Sequence, residues 1–190
     1  ISGSRCQTAL SVVNSDTFNY VRLSDIAIIN SHNNILSVNI GDYDSKLVLS
    51  GHTSFLSNQG SVSLLSGSIK FEGFVLISGN TAQKYESVFK VSDSNEVYFE
   101  GEIQFIDNTG RQGGAISAYS SNLYFEGNVS FIGNSADNGG AISLKEGAAI
   151  NLKGDTRIIF ADNVAETYGG AIYIEDAGLW VRRKVQCFLH

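Results

Sequence analysis

The chain has 190 residues, 43% of them hydrophobic, with 20 glycines and neither proline nor methionine. Its 13 Lys and Arg against 19 Asp and Glu leave a formal charge of −6. The basic residues are scattered apart from Arg182-Arg-Lys184, a balance that argues against a nucleic-acid groove. No apolar run approaches the ~18 residues of a spanning helix, so neither a membrane span nor a signal peptide is expected in this segment.

One pattern organises the chain: apolar-x-apolar-x-Gly-x-apolar-x-apolar-x-x-Asn. Its first copy starts at Val21 and is faint, with Asp25 in the glycine slot and His32 in the Asn slot. Clear copies start at Leu47, Ile69, Val97 and Leu123 and end at Asn58, Asn80, Asn108 and Asn134. The copy at Ile150 carries two extra residues before Asn163. The last starts at Leu179 and is faint again, with Arg183 for the glycine, Cys187 in the inward slot of Phe131, and His190 for the Asn. Starts 22 to 29 residues apart mean a stacked, quasi-one-dimensional solenoid.

Within each copy apolar residues alternate with polar ones, as in Val97, Phe99, Ile103 and Phe105, and period two is the strand signal. The central glycine splits the run into two short strands. A third apolar segment follows in each coil: Ser61-Val-Ser-Leu-Leu65, Ser87-Val-Phe-Lys-Val91, Gly113-Gly-Ala-Ile116, Gly139-Gly-Ala-Ile142 and Gly169-Gly-Ala-Ile172. Three strands per coil predict an all-β, single-stranded parallel β-helix of about six to seven coils, right-handed because parallel crossovers take that hand. A leucine-rich repeat shares the period, but it needs leucines on a helical return segment, and here that segment reads Gly-Gly-Ala-Ile. Asn58, Asn80, Asn108, Asn134 and Asn163 fall at one corner, where stacked amides can bond as a structural ladder and the backbone can turn left-handed.

One domain spanning 1–190 is expected. From the missing methionine, and from copies cut at both ends, a segment of a longer repeat protein with flanking repeats is expected. Cys6 and Cys187, about six coils or ~29 Å apart, are out of disulfide reach. Asn128-Val-Ser130 is a glycosylation sequon.

Three pairs of motifs carry a family resemblance: Phe105-Ile-Asp-Asn108 with Gly113-Gly-Ala-Ile116, Phe131-Ile-Gly-Asn134 with Gly139-Gly-Ala-Ile142, and Phe160-Ala-Asp-Asn163 with Gly169-Gly-Ala-Ile172. Residues 97–178 resemble the repeat of the polymorphic outer membrane proteins; residues 1–96 keep the first motif and lack Gly-Gly-Ala-Ile. The resemblance implies a right-handed, pectin lyase-like β-helix in a surface passenger with a role in adhesion, at the outer membrane if the source is a bacterial autotransporter.

A catalytic site on such a fold would need clustered carboxylates. Glu72, Glu100 and Glu126 share one outward column, followed by Lys153, on a regular strand without a base or Arg beside them. Asp42, Asp44, Glu175 and Asp176 read as solubilising loop residues. The three histidines are dispersed, so no catalytic, metal or cofactor site is expected. An ice-binding face would need a regular Thr row, and the outward column Ser54, Leu76, Gln104, Ser130, Arg157 is irregular. Tyr98 and Tyr124 stack outward beside Glu100 and Glu126, which makes these four the candidate contact face for a protein or glycan. The function expected is a non-catalytic extracellular or cell-surface region for adhesion, display or rigid scaffolding. The alternative is a carbohydrate-active enzyme whose active coil lies elsewhere in the parent protein.

Overall fold

A computed structural model describes residues 8–13, 20–40, 45–83, 86–93, 95–181 and 186–189. Strand β1 (Thr8–Val13) precedes a first coil of β2 (Tyr20–Ser24), β3 (Ala27–Ile29) and β4 (Asn34–Asn39). The next holds β5 (Lys46–Ser50), β6 (His52–Leu56) and β7 (Val62–Ser66). Then come β8 (Ser68–Ser78) with β9 (Phe89–Val91), and β10 (Glu96–Ile106) with β11 (Ile116–Tyr119). The following coil has β12 (Asn122–Phe125), β13 (Asn128–Ile132), β14 (Ser135–Asn138) and β15 (Ile142–Lys145). After it run β16 (Ala149–Leu152), β17 (Arg157–Ala161), β18 (Val164–Tyr168) and β19 (Ile172–Glu175), and finally β20 (Gly178–Val181) and β21 (Gln186–Leu189).

All pairings between these strands are parallel, and each strand pairs with its counterpart one coil away, so the chain is a parallel β-solenoid. One face is the seven-stranded sheet β1-β4-β7-β9-β11-β15-β19. The other is a twelve-stranded sheet bent along the glycine line, where Val21, Leu47, Ile69, Val97, Leu123, Ile150 and Leu179 form one column. In β8 and β10 the glycine bends a continuous strand of 11 residues and does not divide it. The polar stretch after each Asn also pairs, through β14 with β18 and the bridges Gln59–Thr81–Thr109–Ser135, which periodicity did not reveal.

Period two puts alternate side chains inside, and stacking at ~4.8 Å sets like on like. Leu49, Phe71, Phe99 and Phe125, and Phe55, Ile77, Phe105 and Phe131, are all fully buried. Rings in a column lie nearly parallel: Phe105 to Phe131 is 4.8 Å between centroids and Phe131 to Phe160 5.1 Å. Between columns they meet edge to face, as Phe125 does Phe131 at 6.2 Å, the arrangement the ring quadrupole favours.

Three register expectations are corrected. In the first copy Ile28, not Ile29, pairs with Phe55, so the corner slot belongs to Ser31, which is buried, while His32 is exposed. The copy is one residue short at its bend, and with period two that single residue exchanges the two faces of β3. In the last copy Phe160 pairs with Leu189 and Ile158 with Cys187. It therefore carries the same two extra residues as its predecessor, and Leu189, not Cys187, takes the register position opposite Phe160. By the same insertion Ser130 pairs with Ile159, not Arg157, which instead follows Asn128. Cys6, Asp42, Asp44, Arg182, Arg183, Lys184 and His190 lie outside the described residues. Glu175 is the last residue of β19, on a strand and not in a loop, with its carboxylate 3.0 Å from Lys145 Nζ.

The glycine line has a steric cause. A Cβ on Gly101, where φ is 125°, would sit 2.2 Å from the carbonyl oxygen of Gly73. Gly101→Ala should therefore lower stability by about 1–3 kcal/mol, read as an earlier chemical-denaturation midpoint with an unchanged slope. A wild-type midpoint would mean that neighbouring coils are not this close.

Candidate functional site

Asn58, Asn80, Asn108 and Asn134 are buried at one corner. Each Nδ2 donates to the next side-chain oxygen, from Asn58 to Asn80 at 2.9 Å, Asn80 to Asn108 at 2.9 Å, Asn108 to Asn134 at 3.0 Å and Asn134 to Asn163 at 3.0 Å. Each Nδ2 also donates to the carbonyl of the apolar slot one coil back, such as Asn108 to Ile77 at 2.8 Å. The backbone N–H of each donates to the same Oδ1 as its amide, and Ser31 N donates to Asn58 Oδ1 at 2.8 Å. The left-handed residue is the one before the Asn, not the Asn itself: Asn30, Ser57, Gly79, Asp107, Gly133 and Asp162 all have φ between 51° and 65°. That explains the small or Asx residue at the second x of Phe-x-x-Asn.

The outward face of the bent sheet carries the predicted contact residues. Tyr98 and Tyr124 stack at 4.7 Å with 10° between planes. Lys46 Nζ lies 4.9 Å from the Tyr98 centroid and Lys153 Nζ 4.6 Å from that of Tyr124, so a cation–π contact closes the outer face of each ring. Both hydroxyls donate to Glu96, from Tyr98 to one carboxylate oxygen and from Tyr124 to the other at 3.0 Å. Ring edges, not ring faces, are what this pair offers a partner.

The glutamate column does have cationic partners, contrary to expectation. Arg22 reaches Glu72 at 2.8 Å, Lys70 reaches Glu100 at 2.7 Å and Glu72 at 3.1 Å, and Lys153 reaches Glu126 at 2.7 Å. The signal lay in the sequence: Lys70 stands two residues before Glu72 and hence on the same side of the strand. The bond from Lys70, followed by the charge of Arg22, holds the Glu72 carboxyl below its usual range. Burial, then the bond to Glu96, pushes the Tyr98 phenol well above its ordinary 10.0. The stability this reflects is fully present below pH 10.0 and is lost as pH rises beyond it, because the unfolded phenol ionises first. Alkaline titration followed by tyrosinate absorbance should show the Tyr98 phenol ionising late, and Glu96→Gln should bring it earlier. An unmoved titration curve would remove Glu96 from that role.

The two described histidines, His32 and His52, are not brought together. His32 Nδ1 lies 3.3 Å from Gln59 Oε1, while the His52 ring packs 5.6 Å from that of Phe74. Among the described residues no group of three or more His, Cys, Asp or Glu is placed to hold a metal ion, and no helix is long and apolar enough to cross a membrane. Two grooves that sequence reading missed share Asn128. One is lined by Glu102, Gln104, Ser130, Arg157 and Ile159, the other by Gly101, Gly127, Glu126 and the turn at 153–156.

No curated protein and no solved structure matches the chain. Two stretches, 122–145 and 157–175, match the Chlamydia polymorphic membrane protein repeat. They run from β12 to β15 and from β17 to β19, each spanning one ladder Asn and one Gly-Gly-Ala-Ile turn. Two consecutive coils of this parallel β-solenoid, at 122–145 and 157–175, are thus similar to the Chlamydia polymorphic membrane protein repeat.

Proposed function

We propose that the chain is a non-catalytic stretch of a surface-exposed repeat protein, acting in adhesion or display and supplying reach, rigidity and contact area outside the cell. The observation that carries this reading is the pair of consecutive polymorphic membrane protein repeats, set on a solenoid whose inward and corner slots are regular while its outward slots vary. Acid–base catalysis calls for carboxylates with divergent environments, and Glu72, Glu100 and Glu126 are instead each tied to a Lys or Arg. The candidate contact face is Tyr98, Glu100, Tyr124 and Glu126, which presents ring edges and ion pairs to a protein or glycan. Flanking repeats of a longer parent would extend it.

A binding screen against glycans and host-surface proteins, run beside a polysaccharide cleavage assay, tests the reading. Retention without cleavage is expected, and the Tyr98→Ala/Tyr124→Ala pair should weaken it about tenfold, ~1.4 kcal/mol. Cleavage abolished by Glu100→Gln or Glu126→Gln would replace this reading with an enzyme. Retention unchanged by the tyrosine pair would move the contact elsewhere.

A further inference from the structure

Gly73, Gly101 and Gly127 lie over one another so closely that a Cβ on any of them would sit 2.2–2.6 Å from the neighbouring glycine carbonyl. This line of the surface is therefore bare peptide. At the next coil the two extra residues replace the tight bend with the turn Lys153-Gly-Asp-Thr156, exposed at Gly154 and Asp155 and tied down by buried Thr156, whose Oγ1 donates to the Phe125 carbonyl at 2.8 Å. The turn borders the glycine line in an open groove lined by Gly101, Gly127, Glu126, Asn128, Lys153 and Asp155. The adjoining groove continues from Asn128 over Glu102, Gln104 and Arg157.

Backbone groups at the bend are already engaged: Lys153 N donates to Phe125 O at 3.0 Å and Arg157 N to Gly127 O at 3.2 Å. An extended peptide would find no open strand edge here. Nor would it find an aromatic anchor, since lysines cover the outer faces of Tyr98 and Tyr124. What lines the groove is carboxylate, amide, hydroxyl and guanidinium in alternation, with Ile159 as its one outward apolar plate. Such a row suits a ligand rich in hydroxyls, each of which both donates and accepts. The carboxylates and cations nearly balance, so charge on the ligand is not favoured. We propose that this groove, created by the two-residue insertion, binds an uncharged oligosaccharide laid along the stack. The proposal rests on the surface-contact reading above and gives it a second place and a ligand class.

The test uses the 190-residue chain on an array of neutral oligosaccharides of glucose, galactose, mannose and N-acetylglucosamine, with basic and neutral peptides as controls. Two variants are compared. Deleting Asp155 and Thr156 leaves Lys153-Gly154-Arg157 in the pattern of Glu126-Gly127-Asn128 and so restores the tight bend. The pair Glu102→Gln/Asn128→Ala changes exposed groups only and keeps the fold. Retention of a neutral oligosaccharide that weakens about tenfold or more in both, with unchanged thermal melting in the second, is the expected result. No retained oligosaccharide, retention equal in the Glu102→Gln/Asn128→Ala variant, or retention of peptides alone would overturn the proposal. A chain that captures a host-surface protein but no sugar would sink this groove and leave the surface-contact reading standing, so the two fail separately.

Discussion

Replacing Phe131 with alanine should destabilise the fold by ~3–5 kcal/mol, the lost burial of a ring plus the cavity it leaves. The site cannot collapse around the gap. Phe131 is fully buried, with Phe105 4.8 Å away on one side and Phe160 5.1 Å away on the other. Those neighbours are fixed at the coil spacing by strand hydrogen bonds from β13 to β10 and β17. Urea denaturation should show the loss as a lower midpoint with the slope retained. A variant melting like the wild type would refute the inward register of this column.

Asn108→Leu should cost at least ~3 kcal/mol although it adds apolar volume at a buried position. The substitution removes Oδ1, which accepts from Asn80 N at 3.2 Å and from Asn80 Nδ2 at 2.9 Å, and removes the donor to the Ile77 carbonyl. Each buried polar group left without a partner costs about 1–3 kcal/mol, and leucine satisfies none of them. If leucine proved neutral in denaturation, the corner would be held by packing alone.

Much of this architecture is legible in the amino-acid sequence. Alternation at period two, a glycine at the bend and an Asn at the corner are local requirements of a stacked coil. Each is written into the residues themselves: Phe99 and Phe105 face in because Glu100 and Gln104 between them are polar, and Gly101 is glycine because Gly73 lies against it. Stacking then repeats the same demand at the next coil, which is why one motif predicts its neighbour's place.

The departures were decided only by tertiary structure. In Ala27-Ile28-Ile29 every residue is apolar, so alternation carries no information there, and pairing with Phe55 selected Ile28 for the core. At the end of the chain Arg183 through Leu189 fit the pattern equally well with or without two extra residues, and pairing with β17 chose the longer one. Apart from Lys70, which stands beside Glu72 on its own strand, the partners of Glu72, Glu100 and Glu126 and the lysines over the tyrosines come from distant positions, Lys46 and Tyr98 being 52 apart. Which long side chain lies over which is set by the geometry of the face, because these contacts are made across coils and leave no period in the sequence. The grooves at Asn128 have the same origin. An insertion is visible in the sequence as a broken repeat, but its shape depends on where the flanking strands hold its ends.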